Sequence, residues 1–209
     1  MKYKVMIVED QTMPRELFEL RIQASEHFEA ALSIDNAALA DVYCLRFPVD
    51  LILMDVVTRG GESGLDAAER IKRTFPQIKI IIVTSMPECS YLSRAREIGV
   101  ESFWYKEEQR ESLLDVMERT MAGESVYPDA TPELQLGLAS SYKFTDRELE
   151  VLREMTGGDT NQEIAEQLHM SVASVKTHIL NMLEKTGFRN RTELAVRARE
   201  SGLVILDRK

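Results

Sequence analysis

Five polar residues of this chain stand at the ends of short apolar runs. Glu9 and Asp10 follow a run over residues 4–8, Asp55 follows 51–54, Thr84 closes 79–84, and Lys106 follows 102–105. If the runs are strands of one open parallel sheet, ligands gather beyond their carboxyl ends, and these residues share a crevice. Taken singly, each has an ordinary structural role: an Asp caps a turn, a Thr bonds locally, a Lys reaches solvent. Together they make a site. Three carboxylates in one crevice repel one another and raise one another's pKa unless a cation sits among them. Mg2+ suits such a set, because it favours hard oxygen ligands, keeps several waters and takes one or two carboxylates plus a phosphate.

The elements that must position these residues alternate short apolar runs with longer amphipathic stretches from residue 4 to residue 122, the pattern of strands and helices wound into a mostly parallel sheet. Strands are predicted over 4–8, 28–32, 51–54, 79–84 and 102–105. The third and fourth are nearly all apolar, as central strands covered on both faces should be. Pro14 suits the first turn of a helix, Asp35 or Asn36 can cap a second, and Pro48, Pro76 and Pro87 fall between elements. A fifth helix near 108–122 carries Leu113, Leu114, Met117 and Met121 at helical spacing and closes at Gly123. Residues 123–141, with Pro128, Pro132 and Gly137, read as a linker. Within it Leu134, Leu136 and Leu138 suggest a short docked helix.

The chain has 209 residues, enough for one or two domains with a real core, and two cysteines, Cys44 and Cys89, too few for a disulfide scaffold. Both are expected to pack as reduced thiols. His27, His169 and His178 lack metal-ligand spacing. No apolar run is long enough to span a membrane, and Glu9 and Asp10 come before any secretory apolar region forms, so a cytoplasmic address is expected. The net charge of −9 argues against a nucleic-acid partner only until it is divided. Residues 1–141 hold 15 Lys and Arg against 24 Asp and Glu; residues 142–209 hold 11 of each. Within the tail, residues 174–199 hold 6 bases against 2 acids, so the basic surface is one segment.

In order and position, Glu9-Asp10, Asp55 after Leu-Ile-Leu-Met, Thr84 in Val-Thr-Ser and Lys106 after Ser-Phe-Trp-Tyr resemble the receiver domain of two-component response regulators across about residues 2–122. The resemblance implies a flavodoxin-like α/β fold with a five-stranded parallel sheet of order 2-1-3-4-5. It implies that Asp55 is the phosphoacceptor for a sensor histidine kinase. Mg2+ would be held by Asp10, Asp55 and the Val57 carbonyl, with Glu9 reaching it through water. Thr84 and Lys106 would grasp the phosphoryl oxygens, and Phe103, three residues before the lysine, would be the aromatic that follows Thr84 inward. The physical logic agrees: a carboxylate attacking a phosphoryl group needs charge on the transferring oxygens neutralised, and a divalent cation and an ammonium supply that. The chain departs from the pattern after Asp55, where Thr58-Arg59 replace the common Met-Pro and Gly64 stands one residue late.

The tail is helical in rhythm. Thr145/Glu148, Thr160/Glu163 and, more weakly, Asn190/Glu193 are capping-box pairs, and they start helices predicted over 146–155, 161–168 and 192–201. A fourth runs over 172–186, and the turn His169-Met170-Ser171 before it gives helix-turn-helix spacing. Ile164, Ala165, Leu168, Val175, Ile179 and Met182 or Leu183 form the inward stripe. Ser174, Lys176, Thr177, His178, Asn181 and Lys185 are left as candidates for base edges and phosphates, with Leu180 beside them. Phe144-Thr145, Asn161-Gln-Glu163-Ile164-Ala165, Ser174-Val175-Lys176-Thr177-His178 and Gly187-Phe-Arg189-Asn190-Arg191-Thr192-Glu193 resemble the LuxR/NarL-type DNA-binding domain. That implies a small all-α four-helix helix-turn-helix domain over 142–209, after the receiver over 1–122 and the linker over 123–141. It also implies double-stranded DNA as a partner and a homodimer when phosphorylated.

The sequence thus reads as a phosphorylation-switched transcription regulator that is not an enzyme. One alternative is a phosphorylation-independent DNA-binding regulator or scaffold with a vestigial receiver. Another is a phosphatase, because the segment at Asp55 resembles the nucleophile strand of haloacid-dehalogenase-type phosphatases. That family places a second Asp two residues on, where this chain has Val57.

Overall fold

A computed structural model describes residues 2–88, 90–106 and 112–204. The chain divides into two compact units whose main boundary lies between Ala130 and Thr131. In the first, a five-stranded sheet runs β2 (Phe28–Ile34), β1 (Tyr3–Val8), β3 (Leu51–Met54), β4 (Lys79–Thr84), β5 (Ser102–Tyr105), every neighbouring pair parallel. The helices between them are α1 (Thr12–Gln23), α2 (Ala40–Arg46), α3 (Gly64–Thr74) and α4 (Ser90–Ile98), and α5 (Leu113–Met121) follows β5. The strand order is the one that the receiver resemblance implies.

The strands form where the apolar runs place them, because β3 and most of β4 are buried on both faces and have no polar side to offer solvent. Val5, Ile7, Leu51, Leu53, Ile81 and Val83 meet Phe18 and Ile22 of α1 and Val116 and Met117 of α5 in one core. β2 runs two residues beyond its predicted end. Asn36, of the two candidate caps, accepts the Ala38 N–H and opens the short 3-10 turn Ala37–Leu39 that leads into α2. Ser63 caps α3 and Ser112 caps α5. The predicted start of the fifth helix, at 108–111, lies outside the described residues.

Register makes the strand ends functional. Val8 stands opposite Met54, Met54 opposite Ile82, and Thr84 opposite Tyr105. The residues that follow each strand therefore come out side by side along one edge of the sheet.

The short helix expected at the leucines 134, 136 and 138 is corrected to a hairpin. Residues 125–127 bond to β5 and to the residues just before it, and residues 135–140 form a hairpin, β6 (Gln135–Leu136) with β7 (Ala139–Ser140). The leucines at 134, 136 and 138 have the spacing of a strand, not of a helix. Gly137 turns the hairpin at φ 62, with Cα so near the Thr186 carbonyl that a Cβ would lie 2.2 Å from it. The Leu138 N–H then donates to that carbonyl, closing the end of the helix described next.

In the second unit four helices follow a 3-10 turn at Ser141–Lys143: α6 (Asp146–Gly157), α7 (Asn161–Gln167), α8 (Val172–Thr186) and α9 (Arg191–Ser201). Both predicted capping boxes at Thr145 and Thr160 are reciprocal; Asn190 caps Glu193, whose carboxylate instead takes the Arg189 N–H. Val151, Leu152, Ile164, Val175, Met182, Leu194 and Ala198 are buried between the helices. Met182, rather than Leu183, takes the inward position.

Glu148 lies almost wholly buried at the start of α6. Burial pushes its carboxyl up, but the Lys185 ammonium and the Thr145 N–H outweigh that and hold it below the ordinary carboxylate range. Lys185→Ala is therefore expected to destabilise the second unit by about 2–3 kcal/mol at pH 7, because it leaves a buried carboxylate without its cation. A depressed folded pKa stabilises above the ordinary carboxylate pKa and loses that stabilisation as pH falls through the folded value. The gap between wild type and variant in urea unfolding should accordingly shrink in acid. A gap that is constant with pH contradicts this account.

Candidate functional site

Glu9, Asp10 and Asp55 each bring a carboxylate oxygen to within 4.8 Å of the others at the sheet edge. Glu9 and Asp55 are buried and Asp10 is partly exposed. Lys106 extends from the end of β5 into this group: its Nζ donates to Glu9 Oε2 at 2.5 Å and to Asp55 Oδ2 at 2.8 Å. Glu9 is further fixed by the Gln11 N–H on its Oε1 and by Arg15 on its backbone carbonyl.

Burial pushes the Asp55 carboxyl up to about 6, against the opposing pull of Lys106 and with the charge of Glu9 adding to the rise. Burial lowers the Lys106 pKa, but Asp55 and Glu9 overcome it and hold the ammonium above its ordinary value. Three carboxylates facing one ammonium leave two negative charges unbalanced, with oxygen donors close enough to share an ion. That chemistry fits a divalent, oxygen-seeking cation.

The other predicted residues reach the same edge. Thr84 is fully buried at the end of β4, and its carbonyl accepts the Lys106 N–H. Phe103 is buried two register steps back beside Ile82, its ring 5.0 Å from that of Tyr105. The Val57 N–H supports the Asp55 carboxylate, while the Val57 side chain is exposed.

The loop that departs from the receiver pattern is tied down by the residues that make it depart. Thr58 Oγ1 accepts the Ala37 N–H, and Arg59 pairs with Asp35 through both its guanidinium and its N–H. Val57 and Ser63 form an antiparallel bridge that closes the extra residue into a tight loop. Gly64 ends it against Asp55, where a Cβ would fall 1.9 Å from the Asp55 carbonyl oxygen. The only sequence signal for this anchoring is a mismatch, Thr58-Arg59 in place of Met-Pro.

On the second unit, α7 and α8 meet through a turn in which His169 takes φ 51 and the Met170 N–H returns to the Ala165 carbonyl. Lys176, Thr177, Leu180 and Asn181 are exposed along α8, with Ser174 and His178 half-exposed beside them. Lys185 does not join them. Its ammonium donates to both Glu148 oxygens and to the Lys143 carbonyl, an ion pair within the unit.

A parallel sheet with this acid and lysine edge, joined in one chain to a helix-turn-helix unit, defines a receiver with a DNA-binding output domain. Residues 5–118 match the response regulator receiver domain, and residues 142–198 match the bacterial regulatory proteins of the luxR family. The chain belongs to the two-component response regulators with a LuxR-type DNA-binding domain, which are transcription factors rather than enzymes. It is 31% identical over 212 residues to the response regulator protein VraR of Staphylococcus epidermidis, covering 98% of this chain and all of that protein. The VraR of Staphylococcus aureus is similar at the same identity over 220 residues. Among solved structures, the fold resembles RcsB in a structure of two RcsB dimers bound to two parallel DNAs, with a TM-score of 0.63 and 18% identity over 95% of this chain and 98% of that one. It also resembles RcsB of Salmonella enterica serovar Typhimurium bound to a promoter in the presence of the phosphomimetic BeF3−, with a TM-score of 0.60 and 21% identity over 94% and 98% of the two chains. No helix among the described residues is long and apolar enough to cross a membrane.

Because the folded chain holds the Asp55 proton more tightly than the unfolded chain, this group makes stability fall as pH rises from about 4 to about 6, and the loss persists above. Asp55→Asn, which removes the buried charge, is expected to stabilise the first unit by about 2 kcal/mol at pH 7 without divalent cations. Added Mg2+ should close the gap by stabilising wild type alone. Urea unfolding with and without Mg2+ reads both effects, and a destabilised Asn variant would count against the account.

Proposed function

We propose that this response regulator accepts a phosphoryl group on Asp55 from a sensor histidine kinase, in the presence of Mg2+, and that the modification controls dimerisation and sequence-specific binding to double-stranded DNA. The observation that carries the reading is the buried Asp55 carboxylate in reach of two further carboxylates and of the Lys106 ammonium. Asp10, Asp55 and the Val57 carbonyl would hold the ion, with Glu9 reaching it through water. Bound there, Mg2+ neutralises charge on the transferring oxygens. An Asp55 oxygen forms the new P–O bond as the donor's P–N bond breaks, and the nitrogen departs with the electron pair. Lys106 exchanges part of its hold on Asp55 for a phosphoryl oxygen, and the Thr84 hydroxyl donates to another. Phe103, its ring tilted against that of Tyr105 on the same strand, is the aromatic that follows the change.

In the second unit α8 is the recognition helix. Ser174, Lys176, Thr177, His178 and Asn181 supply contacts to bases and phosphates, and dimerisation makes up for the modest charge of each copy. The setting is cytoplasmic, in keeping with a receiver that meets its kinase and DNA in one compartment.

Treatment of the chain with a small phosphodonor and Mg2+ should add one phosphoryl mass to wild type and none to Asp55→Ala. Equal labelling of both would sink the assignment of Asp55. Labelling of wild type with no change in sedimentation or DNA affinity would favour a vestigial receiver.

Lys176→Ala should weaken binding to random-sequence duplex DNA and reduce the slope of log affinity against log salt by about 1 per subunit, as loss of one phosphate contact requires. Lys185→Ala should leave that slope unchanged in protein that remains folded. The reverse pattern would reassign the two lysines.

A further inference from the structure

The chain reverses at Gly123 after α5, and residues 124–127 return along β5 instead of leaving the first unit. Four bonds fasten them there. The Phe103 N–H donates to the Val126 carbonyl at 2.8 Å, and the Val126 N–H to Ser102 Oγ at 3.1 Å. Ser125 Oγ donates to the Glu101 carbonyl, and the Tyr127 hydroxyl to the Val100 carbonyl, each at 2.8 Å. Ser102 Oγ is shared with buried Thr120 of α5 at 2.7 Å, so the strap is also wired to the helix it has just left.

The side chain that this strap lays down is an aromatic cover. The Tyr127 ring lies 6.3 Å from the Phe103 ring, with the Arg96 guanidinium of α4 over its other surroundings at 4.6 Å from the ring centroid. Phe103 therefore sits in a row, Tyr105, Phe103, Tyr127, that starts one residue from Lys106 and ends at the first residues of the connection to the second unit. Burial pushes the Tyr127 phenol up to about 12, with Arg96 opposing and Glu101 adding to the rise, so the hydroxyl remains a donor throughout the physiological range.

An edge strand needs its free backbone groups covered, and a strap serves that purpose anywhere along it. This one covers the single strand that carries both Lys106 and Phe103. We propose that residues 124–127 form a latch, with Tyr127 as its positioning residue, that holds the resting arrangement of Phe103 and is loosened when the site at Asp55 is filled. The latch rests on the reading of Asp55 as phosphoacceptor. A phosphoryl group that draws on Lys106 and Thr84 pulls at the carboxyl ends of β4 and β5. The ring row moves with β5, and the strap that is bonded to it gives way at its half-buried Tyr127 end, where the chain leaves for the second unit.

Linkage makes this testable, because a latch that favours the resting state must oppose ligand binding at Asp55 by the same factor with which the ligand opposes the latch. In the full chain with Mg2+, Tyr127→Ala should bind BeF3− about fivefold or more tightly than wild type by calorimetry. Tyr127→Phe, which keeps the ring and loses the bond to Val100, should show a smaller gain. In wild type, hydrogen exchange of peptides covering 124–130 should speed up when BeF3− is added, and should not in Asp55→Ala. Unchanged or weaker BeF3− affinity in Tyr127→Ala, or unchanged exchange of the strap in wild type that binds BeF3−, overturns the latch alone. Failure of wild type to bind BeF3− with Mg2+ overturns the phosphoacceptor reading and the latch with it.

Discussion

The Lys106 ammonium, held between Glu9 and Asp55 at the edge of the sheet, is the interaction on which the first unit's chemistry depends. Two carboxylates buried side by side without a cation would not both stay ionised. One ammonium is enough to keep the group charged and too little to neutralise it. The parallel register supplies the rest: four neighbouring strands that end within two residues of one another bring residues from positions 9, 55, 84 and 106 to one place, and no local segment of the chain could do so. The demand reaches into the loop after Asp55. Only a residue without a Cβ fits at Gly64 against the Asp55 carbonyl, and the Thr58 and Arg59 anchors fix the backbone that presents Val57.

The second unit solves a similar problem with the opposite purpose. Glu148 is also a buried carboxylate that needs a cation, and Lys185 provides one. There the pair is complete: the Thr145 N–H and both oxygens' contacts to Lys185 leave no residual charge to recruit an ion. The pair locks α8 to the start of α6 and so sets the angle at which Lys176, Thr177 and Asn181 face outward. Of two lysines on the same helix, nine residues apart, Lys185 is paired with a buried acid and Lys176 is exposed.

Much of this was legible in the sequence. The five strands, the strand-end residues, the capping boxes and the helix-turn-helix spacing follow from local rules: period, caps and the chemistry of the residue after each apolar run. What escaped depends on contacts between distant positions. Lys185 looked like a surface base because nothing near it in sequence reveals that Glu148, 37 residues earlier, is buried beneath it. Residues 123–141 looked like a linker because prolines and serines there signal a break in helix, and a strap against β5 or a two-residue hairpin leaves the same signature. The leucines at 134, 136 and 138 carry the strand period.

The charge asymmetry between the units acquires a physical sense from the Asp55 site. The proposed phosphorylation would replace one charge on Asp55 with nearly two in a group that is already short of positive charge, and the surrounding core is close-packed and cannot swell to dilute it. On the proposed phosphorylation, relief would come from discrete moves of the groups near the new oxygens, Lys106 after β5 and Thr84 at the end of β4. Both lie at the ends of strands whose interiors are fully buried, so displacement is passed along the strand rather than absorbed by the side chain alone. The aromatic row on β5 lies in that path, with the start of the interdomain connection bonded to the strand's outer edge. A receiver with a neutral acceptor, or with its lysine on a free loop, would have neither the electrostatic imbalance to drive the change nor the rigid element to carry it.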